Sequence, residues 1–167
     1  GLTTIGSSAF YNCSGLTSIE IPSSVTTINS SVFSGCSGLT SVTLPDTLTA
    51  INSYAFSNCT SLESIEIPDS VTDISARAFY NCTKLSNVKL PLGWKNVPDY
   101  DYDSTTYYSD SSSYYQSPFV GCTALKEIAL PEGMTAVPKQ AFREMASLET
   151  IVLSSTVESI GNYAFYN

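Results

Sequence analysis

One pattern of residues returns every 23 positions along the chain, and it constrains the fold more than any other feature of the sequence. The unit is clearest from Cys59 to Asn81, CTSLESIEIPDSVTDISARAFYN. The other full copies span Cys13–Gly35, Cys36–Asn58, Cys82–Gly121, Cys122–Glu144 and Met145–Asn167. Repeats of this length form solenoids, in which each repeat packs only against its neighbours. The sequence therefore predicts a single elongated repeat domain over residues 1–167.

The first copy is incomplete, because Leu2–Asn12 aligns with Val71–Asn81 and the apolar segment that should precede it is missing. Neither end of the chain carries the polar repeat that commonly caps a solenoid. We therefore expect the domain to be a fragment of a longer array.

Each unit contains two short apolar segments. Ile65 and Ile67 alternate with polar residues and are followed by Pro68, a pattern that predicts a short strand with one buried face. Val71 and Ile74 predict a second, shorter extended segment. Stacking the units aligns the strands in parallel, about 4.8 Å apart, and buries a ladder of leucines. The leucines of this ladder are Leu16, Leu39, Leu62, Leu85, Leu125 and Leu148.

The end of each unit predicts a compact turn. Ala78 and Phe79 fall in a segment of helical, 3₁₀ or turn character, where a small residue beside a large aromatic lets the chain press against the core. An Asn or Gly follows, and both residue types tolerate the left-handed conformation that closes such a turn. The residues of this predicted cap are Asn12, Gly35, Asn58, Asn81 and Gly121.

Written as C-x-x-L-x-x-I-x-I-P-x-x-V-T-x-I-x-x-x-A-F-x-N, the unit resembles the BspA-like, or treponemal-type, leucine-rich repeat over nearly the whole chain. The resemblance implies a right-handed superhelix with short parallel strands on one face and helical, 3₁₀ or turn segments on the other. It also implies a bacterial or protist protein, on the cell surface or secreted, that adheres to host or microbial partners. The family has no catalytic residues to carry over. Local departures from the pattern are Val32, Trp94, Pro118, Met145 and Ser154.

Composition excludes several classes of function. The chain has a net charge of -8 and only seven basic residues, so it lacks the clustered Lys and Arg that nucleic-acid binding requires. No apolar run reaches the roughly 20 residues of a membrane helix, so we expect no direct membrane insertion. The sequence contains no His, which removes the usual general base and the commonest metal ligand. We therefore expect no enzyme activity.

The five cysteines recur once per unit rather than as C-x-x-C pairs, which is the wrong spacing for zinc. In a stack of parallel units their Cβ atoms point in the same direction, a poor geometry for a disulfide. The pattern favours a ladder of buried, reduced thiols. Its members are Cys13, Cys36, Cys59, Cys82 and Cys122.

An insertion of 17 residues, 99–115, interrupts the fourth full unit with the sequence DYDYDSTTYYSDSSSYY. A loop of this length is usually functional or disordered. Tyr and Ser dominate it, and antibody loops use the same two residues for contact area and adaptable hydrogen bonds. We predict that the insertion binds a partner, the alternative being a solvated low-complexity linker. The predicted anchors are Tyr100, Tyr102, Tyr107, Tyr108, Tyr114 and Tyr115.

Four aspartates of the insertion have a spacing related to that of calcium loops. Asp99, Asp101, Asp103 and Asp110 fall at positions 1, 3, 5 and 12 of such a loop. The match is partial, because Ser104 stands where the loop requires Gly and no helix flanks either side. Chance spacing is the favoured explanation, and calcium is the alternative. No other cofactor is expected.

The outward-facing strand residues form a second candidate binding surface, because solenoids commonly bind along an extended face. They are Ser18, Ser41, Ser64, Asn87, Glu20 and Glu66. The function we predict is an extracellular adhesion or recognition module that binds a protein on a host or microbial surface. A structural spacer within a larger surface protein and a carbohydrate-binding module are the alternatives.

Overall fold

The computed structural model describes residues 1–98 and 116–167. Each copy of the repeat forms one rung of a solenoid, and most rungs contain a longer and a shorter strand. The longer strands are β1 (Ser18–Glu20), β3 (Ser41–Thr43), β5 (Ser64–Glu66), β7 (Asn87–Lys89), β8 (Glu127–Ala129) and β10 (Thr150–Val152). The shorter strands are β2 (Thr27–Ile28), β4 (Ala50–Ile51), β6 (Asp73–Ile74), β9 (Ala136–Val137) and β11 (Ser159–Ile160). A proline soon follows most of the longer strands, and proline cannot donate to a strand ladder. The strands therefore stay short.

All paired strands run parallel, with each residue opposite its equivalent in the next rung. Ser18 pairs with Ser41 and Ile19 with Val42 between β1 and β3. Strand β5 pairs in the same way with β7, and β8 with β10. On the second side, β2, β4 and β6 form one sheet, and β9 pairs with β11. The predicted parallel solenoid with rungs of about 23 residues is confirmed.

The core is a stack of phenylalanine rings that runs through the rungs. Phe56 and Phe79 are fully buried, and their ring centroids lie 5.2 Å apart with an interplanar angle of 6°. The stack begins at Phe10 and ends at Phe165, which are half-buried because each has a rung of this chain on one side alone. Offset stacking at this separation adds about 0.5–1.5 kcal/mol per pair to the free energy gained from burial.

The leucine ladder is confirmed in its inner rungs. The leucines without exposed surface are Leu39, Leu62, Leu85 and Leu125. The prediction of full burial is wrong for Leu16 and Leu148, which are half-buried in the outer rungs. Each of these two side chains lacks the covering rung that a solenoid places on the far side of an inner leucine.

The segment after the second strand consists of successive turns. The amide of Tyr80 donates to the carbonyl of Arg77 at 3.1 Å, and the amide of Cys82 donates to that of Phe79 at 3.2 Å. This segment was predicted to be helical, 3₁₀ or turn, and throughout the described residues it is a turn. No helix in these ranges is long and apolar enough to cross a membrane.

Most turn segments contain two residues with left-handed backbone. The predicted Asn or Gly cap is confirmed, with φ of 57° at Asn81 and 81° at Gly121. A second column of positive φ, four residues earlier, was not predicted. It consists of Ser8, Ser31, Tyr54, Arg77, Gln140 and Tyr163. Left-handed backbone costs such residues roughly 1–2 kcal/mol each, which the surrounding rungs must offset.

The cysteines each follow a turn segment, and all five are unpaired. Cys82 Sγ donates to the carbonyl oxygen of Phe56 at 3.0 Å, and Cys36, Cys59 and Cys122 make the equivalent bond. Burial raises the pKa of the Cys36 thiol to about 11, with a smaller contribution from Cys59. The predicted buried ladder therefore holds for four thiols. It is wrong for Cys13, which is exposed because no rung of this chain precedes it.

Candidate functional site

The longer strands present their first and third residues to solvent and turn the middle residue towards the core. This alternation follows from the pleat of a β-strand. It aligns the predicted strand-face residues in two columns. Ser18 lies opposite Ser41 and Ser64 opposite Asn87, while Glu20 lies opposite Thr43 and Glu66 opposite Lys89. All of these side chains are exposed.

The strand face is polar and weakly charged. Lys126 Nζ lies 3.0 Å from Glu149 Oε1, beside the aligned columns, with both side chains largely exposed. An exposed pair of this kind contributes about 0–1 kcal/mol to stability. The outward columns contain no aromatic side chain and no arginine in the described strands. They offer many hydrogen-bonding groups but none of the residues that usually dominate binding energy.

The two flanks of the insertion attach to adjacent positions of the preceding rung. The amide of Ala76 donates to the carbonyl of Pro98 at 3.1 Å, and the amide of Arg77 donates to that of Ser117 at 3.2 Å. The regular register resumes at once, because the amide of Phe79 donates to the carbonyl of Pro118 at 2.8 Å. The insertion therefore leaves and re-enters the rung at a single place on the turn side.

The binding and calcium residues predicted within 99–115 lie outside the described residues, so both roles stay predictions. These residues are Tyr100, Tyr102, Tyr107, Tyr108, Tyr114 and Tyr115 for binding, and Asp99, Asp101, Asp103 and Asp110 for calcium. Over residues 1–98 and 116–167, no three metal-ligating side chains cluster.

Beside the insertion flanks, the turn side carries an arginine held by two tyrosines. The Arg77 guanidinium carbon lies 5.8 Å from the ring centroid of Tyr54 and 5.7 Å from that of Tyr80. Its Nη1 donates to the Tyr54 hydroxyl at 2.6 Å, and its Nε donates to Oε1 of Gln116. Gln116 is the first residue after the insertion. The arrangement combines cation–π attraction with two directed hydrogen bonds.

A second arginine makes a similar cluster two rungs away. The Arg143 guanidinium carbon lies 5.6 Å from the ring centroid of Tyr163 and 5.0 Å from that of Tyr166. Its Nε lies 3.4 Å from a carboxylate oxygen of Glu144. Sequence reasoning missed both clusters. Their signal was present, because every tyrosine outside the insertion falls at one of two positions of the repeat, and both arginines share those positions.

A cleft of about 280 Å³ lies along the shorter strands, next to the first flank of the insertion. It is lined by Ser30, Ala50, Asn52, Ser53, Asp73, Ser75 and Pro98. The Asp73 carboxylate accepts hydrogen bonds from Asn96 Nδ2, at 2.9 Å, and from the Thr72 hydroxyl. With these bonds in place the cleft is polar and has no aromatic ring in its lining. It suits water or small hydroxyl groups better than an apolar ligand.

Comparison with known proteins gives one strong family match. The chain matches the family described as BspA type leucine-rich repeat region in six copies, over residues 3–111 and 101–167. Among solved structures, a leucine-rich repeat protein of T. pallidum aligns with a TM-score of 0.71 and 28% identity, over 94% of this chain. The chain spans 65% of the length of that protein, slightly less than two thirds. No curated protein matches the chain.

Two further solved structures align more distantly. The pneumococcal vaccine antigen PcpA is 24% identical over 90% of this chain and 36% of its own, with a TM-score of 0.44. A leucine-rich cell surface protein from Faecalibacterium prausnitzii is 21% identical over 88% of this chain and 62% of its own, with a TM-score of 0.33.

Proposed function

Because the chain belongs to the BspA-type leucine-rich repeat family, we propose that it is a recognition module of a bacterial surface or secreted protein, binding a protein partner on a host or microbial surface. Leucine-rich repeat proteins generally bind proteins, and their fold is typically a scaffold without enzyme activity. The proposal is an adhesive or recognition role, with the chemistry confined to non-covalent contact.

The observation that carries the proposal is the alignment of exposed polar residues along the strand face. Ser18 lies opposite Ser41, and Ser64 lies opposite Asn87, so equivalent hydrogen-bonding groups recur from one rung to the next. A surface of this kind can extend along a partner over many rungs, which is how solenoids obtain large interfaces. The side chains of the core are buried against one another, whereas those of the outward columns are exposed and can contact a partner.

We propose that the Tyr-rich insertion supplies most of the binding energy and that the strand face supports it. The strand columns contain small or charged side chains, whereas binding hot spots are enriched in Tyr, Trp and Arg. Arg77, Tyr54 and Tyr80 lie where the insertion joins the solenoid, so its flanks are surrounded by residues of the same kind.

Carbohydrate binding is the second candidate, and the polar cleft beside Pro98 is the observation that favours it. Its serine and asparagine side chains can exchange hydrogen bonds with sugar hydroxyls. The absence of an aromatic ring from its described lining weighs against a sugar site, since stacking on an aromatic face usually accompanies such bonds. A structural spacer remains the third candidate, because a spacer needs the rungs alone.

Adhesion of coated beads to cells separates the three candidates. Beads carrying the purified chain are applied to epithelial and bacterial cells that have been left intact, treated with protease, or treated with glycosidases. Protein recognition predicts that protease removes adhesion and glycosidases leave it. Loss on glycosidase treatment alone indicates the carbohydrate module, and absence of adhesion to every cell type supports the spacer.

Variants then locate the surface. Replacing all six insertion tyrosines by serine is expected to lower adhesion at least about tenfold, as the loss of several hot-spot residues does. Replacing Glu20 and Glu66 by glutamine is expected to change it less than about threefold. The insertion is additional to the repeat pattern and replaces none of its core positions, so the tyrosine variant should keep the melting temperature of the parent. Adhesion that survives the tyrosine changes but is lost with the glutamates would place recognition on the strand face.

A further inference from the structure

We propose that Arg77 is a positioning residue, which sets the direction in which the chain re-enters the solenoid after the insertion. Two contacts join it to that flank, and a third fixes it on the solenoid. Its backbone amide donates to the carbonyl of Ser117, its Nε donates to Gln116, and its guanidinium packs against two tyrosine rings of the solenoid. The inference rests on the proposed function, in which the insertion is the main binding element.

The register of the backbone changes at Arg77. In other rungs, the residue equivalent to Arg77 donates to the residue just before its own counterpart in the next rung, as Ser31 does to Ser53 at 3.2 Å and Gln140 does to Asn162 at 3.1 Å. The same rule would direct the Arg77 amide to Gln116, yet it bonds to Ser117. The side-chain oxygen of Gln116 accepts from the arginine Nε instead. The shift is local, because Phe79 and Asn81 bond in the regular register.

The position of the arginine within the repeat supports a specific role. The equivalent residues of the other rungs are Ser8, Ser31, Tyr54, Ser117, Gln140 and Tyr163. Arginine therefore occupies this position in the rung whose backbone bonds to both flanks of the insertion. Its φ of 60° is close to that of the equivalent Ser31, Tyr54 and Gln140, so Arg77 differs from them in its side chain and not in its backbone.

Contacts with Tyr54 and Tyr80 hold the guanidinium in place independently of Gln116. The Tyr54 hydroxyl accepts from Nη1 at 2.6 Å, and the Tyr54 and Tyr80 rings are edge-to-face with centroids 6.5 Å apart. Arginine presents its donors in a rigid plane, so fixing one edge of that plane also fixes the direction of Nε. The side chain therefore acts as a bracket between the rigid rungs and the flank at Gln116. The ammonium group of a lysine has no such plane and cannot fix the direction of a donor in this way.

The test compares Arg77→Ala with Arg143→Ala, which disrupts the similar cluster far from the insertion. Hydrogen exchange is measured on peptides covering 73–80 and 116–122 of the full chain, together with the melting temperature. Arg77→Ala is expected to speed exchange in both peptides about tenfold, the loss expected for a charge-assisted hydrogen bond. Arg143→Ala is expected to leave these peptides unchanged. Equal effects of the two variants would mean that the arginines act on general stability and would overturn the proposal.

A double-mutant cycle with Gln116→Ala tests the contact itself. If Arg77 acts through Gln116, each single change should speed exchange to a similar degree, and the double variant should be no faster than either. Additive effects would overturn the proposal. Arg77→Lys keeps the charge and serves as the rescue control, for which we expect partial recovery at most. Full recovery would show that charge alone suffices and that the planar bracket is unnecessary.

The bead assay connects the bracket to recognition. Arg77→Ala should lower adhesion several-fold while Arg143→Ala leaves it unchanged. If exchange responds as expected but the six tyrosine changes leave adhesion intact, the role of the insertion in the proposed function fails and the bracket stands. If the tyrosine changes abolish adhesion while exchange ignores Arg77, the bracket fails and the proposed function stands.

Discussion

Buried thiols of this chain differ from the exposed one in what surrounds the sulfur. Cys36, Cys59, Cys82 and Cys122 donate to carbonyl oxygens inside the rungs, whereas Cys13 is exposed. Because the thiolate is the reactive species and needs access to the reagent, Cys13 should react with Ellman's reagent within seconds and the other four only after denaturation. Stoichiometry before and after adding guanidinium measures both classes. Cys13→Ser should remove the fast class, and a fast class that survives this change contradicts the assignment.

The raised pKa of Cys36 also makes stability depend on pH. Burial raises this pKa from 9.0 to about 11, so below pH 9 the thiol is protonated in both the folded and unfolded chain. Between these two values the unfolded chain loses a proton that the folded chain retains. The free energy of unfolding should therefore fall as the pH rises through this window. Urea midpoints measured from about pH 8 to about pH 11 should decline more steeply for the parent than for Cys36→Ala.

Trp94 is a departure from the repeat that coincides with a change in the spacing of the phenylalanine stack. It replaces the Val of the preceding unit, is almost fully buried, and donates from Nε1 to the Asn96 carbonyl at 2.8 Å. Its ring meets Phe119 and Phe142 edge-on, at 6.3 and 5.7 Å between centroids. These two phenylalanines are 6.4 Å apart, whereas Phe79 and Phe119 are 5.3 Å apart. The tryptophan thus lies where the distance between neighbouring phenylalanine rings of the stack increases.

Trp94→Val should lower the free energy of unfolding by about 3 kcal/mol, since it removes a large aromatic from the core and leaves a cavity. Urea unfolding measures the loss. Val71→Ala removes a smaller side chain at the equivalent position of the preceding rung and is expected to cost less. A crystal structure of the tryptophan variant should show Phe119 and Phe142 closer together. An unchanged separation means that another contact holds the stack open.

The rungs were predictable from the sequence to the level of single side chains. The period alone indicated which residues form strands, that the phenylalanines and inner leucines are buried, and where Asn and Gly adopt a left-handed backbone. The prediction succeeded because every rung repeats the same local chemistry, so the weak sequence signals of the seven copies reinforce one another. The left-handed backbone at Tyr54 and Arg77 was not predictable, because neither residue type favours it and the neighbouring rungs impose it.

The candidate site was less predictable for the same physical reason. Strand-face residues could be named in advance, since the pleat determines which of them point outward. The arginine–tyrosine clusters left a signal in the repeat positions, but the contact of Arg77 with Gln116 occurs once, beside the insertion, and a single contact leaves no periodic signal. The contact between Arg77 and Gln116 joins side chains 39 residues apart, a separation that the regular register reaches only when the 17 inserted residues are added to its 22.

A solenoid held together by neighbouring rungs should respond differently to damage at its centre and at its end. Phe79 is fully buried between Phe56 and Phe119, so Phe79→Ala should cost about 3–5 kcal/mol of unfolding free energy. Phe165 stacks on Phe142 alone among the described rings and is half-buried, so Phe165→Ala should cost less. Urea denaturation of both variants measures the difference. Equal losses would contradict nearest-neighbour coupling along the stack.

Both flanks of the insertion bond to adjacent backbone positions, Ala76 and Arg77. The length of the inserted segment can therefore change in the gene without disturbing the rungs. Codons added or removed between the flanks leave every rung with its partners, and each doubling of such a segment adds only about 0.6 kcal/mol of closure entropy. Mutations in the rungs, in contrast, disturb two neighbours at once. Natural selection can therefore act on the inserted peptide and on the repeats almost independently. A lineage in which the inserted peptide is under selection would accumulate variation at this one junction while its repeats stay constant.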